Sequence, residues 1–237
     1  MAALSVAIGA IMAVHEHREP DAPGAGAVDQ ACAALLKELR ARCPGLVPAD
    51  PLPPGGVGAE VPVTPEALGP LVVAAAGQAL PGAKAGGTAP AAVLWQQGVD
   101  ALLVHITTIT TAVGDGWVTV TIPVTCDQIQ DAAGAPSQPV TVTFVMGMAD
   151  RPAGLFAAAP SRPDGPAVVT ERWGDALTAL AWRALLDTVA GIAAVAGRDT
   201  DGSPLIPVAV AATAKGLLVQ TQARHPFDRT PVGRAVS

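Results

Sequence analysis

Tyrosine is missing from the 237 residues, and three Phe and four Trp are all the aromatic side chains the chain has. So few rings leave little on which bases or sugars stack. Lysine is nearly missing too, with three residues against eleven arginines, and twenty acidic side chains bring the net charge to −6. Without a basic stripe, no nucleic-acid partner is expected. Three cysteines, an odd number without the spacing of a disulfide framework, suit a reducing compartment, and a cytoplasmic location is expected. Charge of either sign is the scarcest commodity: 14% of residues, against about a quarter in ordinary soluble domains.

What fills the space is apolar and small. Half of the residues are hydrophobic, 49 of them alanine, with 25 glycines and 23 prolines. A chain of this length buries a sizeable core without disulfides. Two readings of the low charge stand side by side. Alanine tolerates exposure and, with arginine favoured over lysine, reflects a GC-rich coding sequence; alternatively, under-charged surface is covered by other subunits, as in obligate interfaces.

No membrane span is expected. Residues 1–14 are apolar with helical spacing at Leu4, Ile8, Ile11 and Met12, but lack a basic leader and are too short to cross a bilayer. Residues 173–196 are long enough, yet carry Asp175, Arg183 and Asp187, each costing about 2.5–3.5 kcal/mol at a bilayer centre. A core helix is expected there, ending at a left-handed Gly197.

Residues 28–43 read as an amphipathic helix with Cys32, Leu35, Leu36, Leu39 and Cys43 on one stripe, followed by a Pro/Gly-rich arm at 44–56. Thr64-Pro65-Glu66 reads as a helix start, with Pro70 expected to kink or restart that helix. Residues 81–90 form a second linker. Residues 102–113 and 117–126 then read as a hairpin around Gly114-Asp115-Gly116, and 140–148 as a third strand. Pro123 implies an edge position or an outward nitrogen. Residues 150–166 make a loop too long for a compact domain unless it touches something; 167–170 reads as a short strand, and 204–212 with 217–223 as a second hairpin, turning at Lys215-Gly216.

The expected fold class is therefore α+β: an antiparallel β-meander over about 101–149, a long apolar helix over about 173–196, a C-terminal β-hairpin and N-terminal helices. Residues 1–56 are expected as a helical segment with its Pro-rich arm and 57–237 as the α+β domain, one continuous domain being the other possibility.

No catalytic or metal site is assigned from motifs. His15-Glu16-His17 is the one dense cluster of metal-competent side chains, but on a helix the two rings diverge by about 200°. Cys126 and His105 form a dyad only under one hairpin register. A two-residue turn sets them opposite each other; a three-residue loop sets His105 opposite Thr125 and sorts apolar from polar faces better, and is the favoured register. Residues 198–202 resemble the opening of a calcium loop, but Arg198 holds the first ligand position and Ala209 the twelfth, so an acidic turn is expected. Asp127 and Asp131 flank a loop with nothing apolar to enclose them.

No cofactor is expected. The function expected from these features is a non-catalytic structural or assembly subunit of a homo- or hetero-oligomeric complex, an adaptor or shell component of a bacterial or phage-like particle, with other protein subunits as partners. An enzyme using His15/His17 or Cys126/His105, and a small apolar-ligand module, are the alternatives.

Overall fold

The computed structural model describes residues 50–80, 89–126, 137–148 and 155–224. In chain order the elements are β1 (Val57–Val63), α1 (Pro65–Ala79), β2 (Ala92–Gln97), β3 (Asp100–His105), β4 (Thr110–Gly114), β5 (Trp117–Cys126), β6 (Gln138–Met148), β7 (Leu155–Ala158), α2 (Ala167–Ala196), β8 (Ile206–Thr213) and β9 (Gly216–Gln222). All strand pairings are antiparallel: a three-stranded sheet ordered β1-β9-β8, and a six-stranded sheet ordered β2-β3-β5-β6-β7, with β4 also pairing with β5. The class is α+β. The expected N-terminal helices, His15, His17, Asp127 and Asp131 lie outside the described residues.

Alternation builds the large sheet. In β5 the apolar set Val118, Val120, Ile122, Val124 and Cys126 is buried, and in β6 Val140, Val142 and Phe144 join it. The intervening threonines face the other way, where Thr121 and Thr141 sit opposite each other with their hydroxyls 3.0 Å apart.

Pro123 does not put β5 at an edge; β5 lies between β3/β4 and β6. Met146 N–H donates to the Gly116 carbonyl at 2.9 Å, which fixes the alternation: residues 118, 120, 122 and 124 bond toward β6, and their neighbours turn toward β3 and β4. Pro123 and Pro139 face each other at a pair that carries no bonds between their strands, so neither ring removes a donor from that ladder. The Pro123 nitrogen points at β3 instead. There the pairing runs from Leu102↔Cys126 to Val104↔Val124 and stops, because the next pair needs an N–H that proline lacks. The chain loops out, with Ile109 N–H on the Ile106 carbonyl at 3.2 Å, and returns as β4 with Thr110 opposite Thr121. Between these two pairs five residues run against two. An odd excess exchanges the faces: Leu102 and Val104 point inward on β3, while Thr111 and Val113, not Ala112, point inward on β4.

The Thr64 hydroxyl accepts from Ala67 N–H at the start of α1, as the sequence implies. The helix does not restart at Pro70. That proline forfeits one bond, to the Glu66 carbonyl, and the surrounding turns are held by Leu68, Leu71 and Val72, all at 0% exposure. Residues 167–170 are the first turn of α2 and not a strand; Pro166 is extended in front of it, and the Thr170 hydroxyl bonds back to the Pro166 carbonyl at 3.3 Å. At the other end Gly197 is extended, and the Arg198 guanidinium reaches back to the Ala194 carbonyl in place of a left-handed cap.

Length and apolarity alone would let α2 cross a bilayer, and 72% of its most apolar window is buried inside this structure. It packs beside α1, against β5 and β6 of the large sheet and all three strands of the small one. Trp173 meets Trp95 of β2 with ring centroids 6.2 Å apart. The long loop does touch something: β7 pairs with β6, and Asp164 and Thr141 exchange backbone bonds of 2.8 and 2.9 Å. The β8–β9 turn is Ala214-Lys215, one residue earlier than expected, with Gly216 (φ 121°) the first strand residue, pressed against the Val63 carbonyl. The described end of the Pro-rich arm is part of the same unit, since Leu52 exchanges backbone bonds with Arg198 and Thr200, and Gly55 and Gly56 with residues 223–224.

Candidate functional site

His105 and Cys126 come from adjacent strands and do not meet. Asp115-Gly116 is a two-residue turn, with Gly114 opposite Trp117 and Gly116 at φ 81°. That turn belongs to the register in which His105 would face Cys126. The odd excess at 107–109 cancels it, and the faces are those of the other register. Cys126 is buried opposite Leu102 on the core side. His105 lies on the opposite face, its Nε2 3.0 Å from the Thr125 hydroxyl.

Among the described residues no group of three His, Cys, Asp or Glu is placed to hold a metal ion. The acidic turn after α2 spends its carboxylate on its own backbone: Asp199, 7% exposed, accepts from the N–H groups of Asp201 and Ser203 at 3.0 and 2.8 Å.

What distinguishes this molecule is the face His105 belongs to. The helices cover the inner face of the six-stranded sheet. Across the outer face, from Ala92 on β2 through β5 to Val145 on β6, the outward positions include no Asp, Glu, Lys or Arg, and His105 is the one titratable side chain. Threonines fill its centre. Large apolar side chains stand at its margins: Leu94 at 48% exposure, Val145 at 47% and Trp117 at 38%. Trp117 is directly opposite Val145, and its indole lies over Gly114, where any Cβ would overlap the ring. Ordinary solvated faces of antiparallel sheets alternate with charged residues, whereas interface cores are depleted of them.

The charges of this region sit at its rim: exposed Asp164 borders the face opposite Thr141, and two other sites are occupied. Arg172 of α2 pairs with Asp100 and donates to the Gln97 carbonyl at 2.9 Å, pinning the β2–β3 turn to the helix. Asp115 accepts from Ala214 N–H at 3.0 Å, tying the β4–β5 turn to the small sheet.

Strand alternation alone places Trp117 on the threonine face, so that part of the surface is readable from sequence. Leu94 is not, because residues 91–95 show no alternation. Comparisons with protein-family models, with curated proteins and with solved structures give no match.

Proposed function

We propose that this chain is a non-catalytic structural subunit of a larger protein complex, an adaptor or shell component of a bacterial or phage-like particle, whose outer sheet face is covered by another protein subunit. The observation that supports the reading is the charge-free face just described, on a chain whose whole surface is short of charge. Such a face holds water by hydroxyls and not by ions, and a neighbouring subunit that covers it gains apolar burial at its margins without having to desolvate ions.

The test is mass in solution. Size-exclusion chromatography with light scattering is expected to give a species larger than the monomer. Thr121→Glu, which sets a carboxylate in the middle of the face and gives up the Thr121–Thr141 contact, is expected to reduce that species while costing the released subunit about 1 kcal/mol or less, read from denaturant midpoints. A stable monomer at high concentration that binds no hydrophobic dye counts against the reading.

A further inference from the structure

Five strands of the two sheets pair on one side only; β4, of five residues, lies against α1, β8 and β9, and three of the other four are protected in ways natural proteins use against edge pairing. On β1 there is a register shift between Val57 and Glu60, a charge at Glu60 and a proline at Pro62. On β8 there is Pro207 with a register shift beside it, and the strand lies against β6 and β7 of the other sheet. β7 has four residues only. β2 has no such device: its six residues Ala-Val-Leu-Trp-Gln-Gln contain no charge and no proline, and pair with β3 without interruption from Ala92↔His105 to Gln97↔Asp100.

The direction of its free backbone groups follows from one bond. Ile106 N–H donates to the Ala91 carbonyl at 3.0 Å, so residues 91, 93, 95 and 97 bond toward β3, and the N–H and C=O groups of Ala92, Leu94 and Gln96 point away from the sheet. Among the described residues no strand pairs with that side. The strand is also held firmly: Trp95 is 2% exposed against Trp173, and Arg172 holds its far end.

We infer that two copies of this chain join edge to edge through antiparallel pairing of β2 with β2, Leu94 opposite Leu94 across a two-fold axis. The inference rests on the assembly reading and adds to the covered face a second contact, at the β2 edge, made with another copy of this chain. The strand is self-complementary. With Leu94 on the axis, Ala92 of each copy faces Gln96 of the other, and the three outward residues satisfy all their donors and acceptors in about six hydrogen bonds. Pro90 ends the ladder on one side. No like charges are brought together, although each copy carries −6, because β2 has none and Asp100 at its end is neutralised by Arg172. The exposed Leu94 side chains meet, and the charge-free face becomes continuous across both copies.

Three versions of the full-length protein test this by light scattering and by amide hydrogen exchange at high and low concentration. In the parent, the Leu94 and Gln96 amides are expected to be protected when concentrated and to lose protection on dilution. Leu94→Lys sets two ammonium groups opposite each other and is expected to raise the dissociation constant about tenfold or more. Leu94→Pro removes an N–H that points away from the sheet, so the monomer folds and the pairing fails. An assembly that persists in both variants, or a parent assembly whose Leu94 and Gln96 amides stay unprotected, overturns the edge pairing and leaves the assembly reading in place. A parent that associates only with foreign protein also overturns it. A parent that stays monomeric overturns both.

Discussion

A single side chain decides whether α2 is a core helix, and Leu185 is the cleanest place to ask. It is 0% exposed between the sheets, so Leu185→Ala is expected to lose about 2–5 kcal/mol, read from denaturant midpoints. Two residues earlier, Arg183 reaches water and bonds Asp187 at 2.7 Å along the helix, so Arg183→Ala is expected to cost well under ~1 kcal/mol. The same pair gives a pH signature. Burial pushes the Asp187 carboxyl above the ordinary carboxylate range, and the charge and hydrogen bond of Arg183 only partly offset it. The folded chain therefore keeps this proton to higher pH than the unfolded chain does. Its stabilising contribution is complete below the ordinary carboxylate value and is lost as pH rises through the folded value. Asp187→Asn is expected to flatten that segment of the stability–pH curve, the remaining third of the side chain's exposure keeping the effect small. A variant curve parallel to the parent's would assign the slope to other groups.

At the scale of elements, the β2–β3 hairpin depends on α2 through one arginine. Arg172→Ala removes both the bond to the Gln97 carbonyl and the pairing with Asp100, whose side chain is only 13% exposed. The expected loss is about 1–2 kcal/mol, with faster amide exchange confined to the hairpin. Exchange that accelerates evenly along α2 instead would mean that the arginine supports the helix. These elements also mark where sequence stops being legible. β5 and β6 were readable because one face meets the core and the other does not, so valine and threonine alternate. β2 shows no alternation because Leu94 stands on the open face next to the buried Trp95. The four residues of β7 are too few to show a period. The separation of His105 from Cys126 followed from sorting apolar and polar faces. The route to it did not: the missing N–H of Pro123 acts on a strand eighteen residues earlier in the chain, at His105, and no local window contains both.

At the scale of the whole molecule, the two sheets are joined by few but specific bonds, such as Gly116 N–H to the Ala212 carbonyl at 2.9 Å, and by a shared core around α2. The Pro-rich arm takes part. Backbone bonds from Leu52, Gly55 and Gly56 hold it to residues on both sides of the small sheet's last hairpin, so limited proteolysis of the native protein is expected to spare 50–56. Early cleavage confined to that stretch would show that the arm is loosely held.

The pairing of β1 with β9 sets a clock on synthesis. Gln222 on β9 bonds to the Gly55 carbonyl, 167 positions away in the chain. At about 5–20 residues per second, β1 spends roughly 8–30 s outside the ribosome before its neighbour is made. Its bulge, Glu60 and Pro62 are then already useful, because they discourage wrong pairings during the interval. The hairpins of the large sheet find their partners within seconds of translation. A stalled or truncated chain lacking residues 216–222 would carry the strands of the six-stranded sheet beside a core left open where Leu217 and Val219 belong, a form that exposes apolar surface to proteases and chaperones.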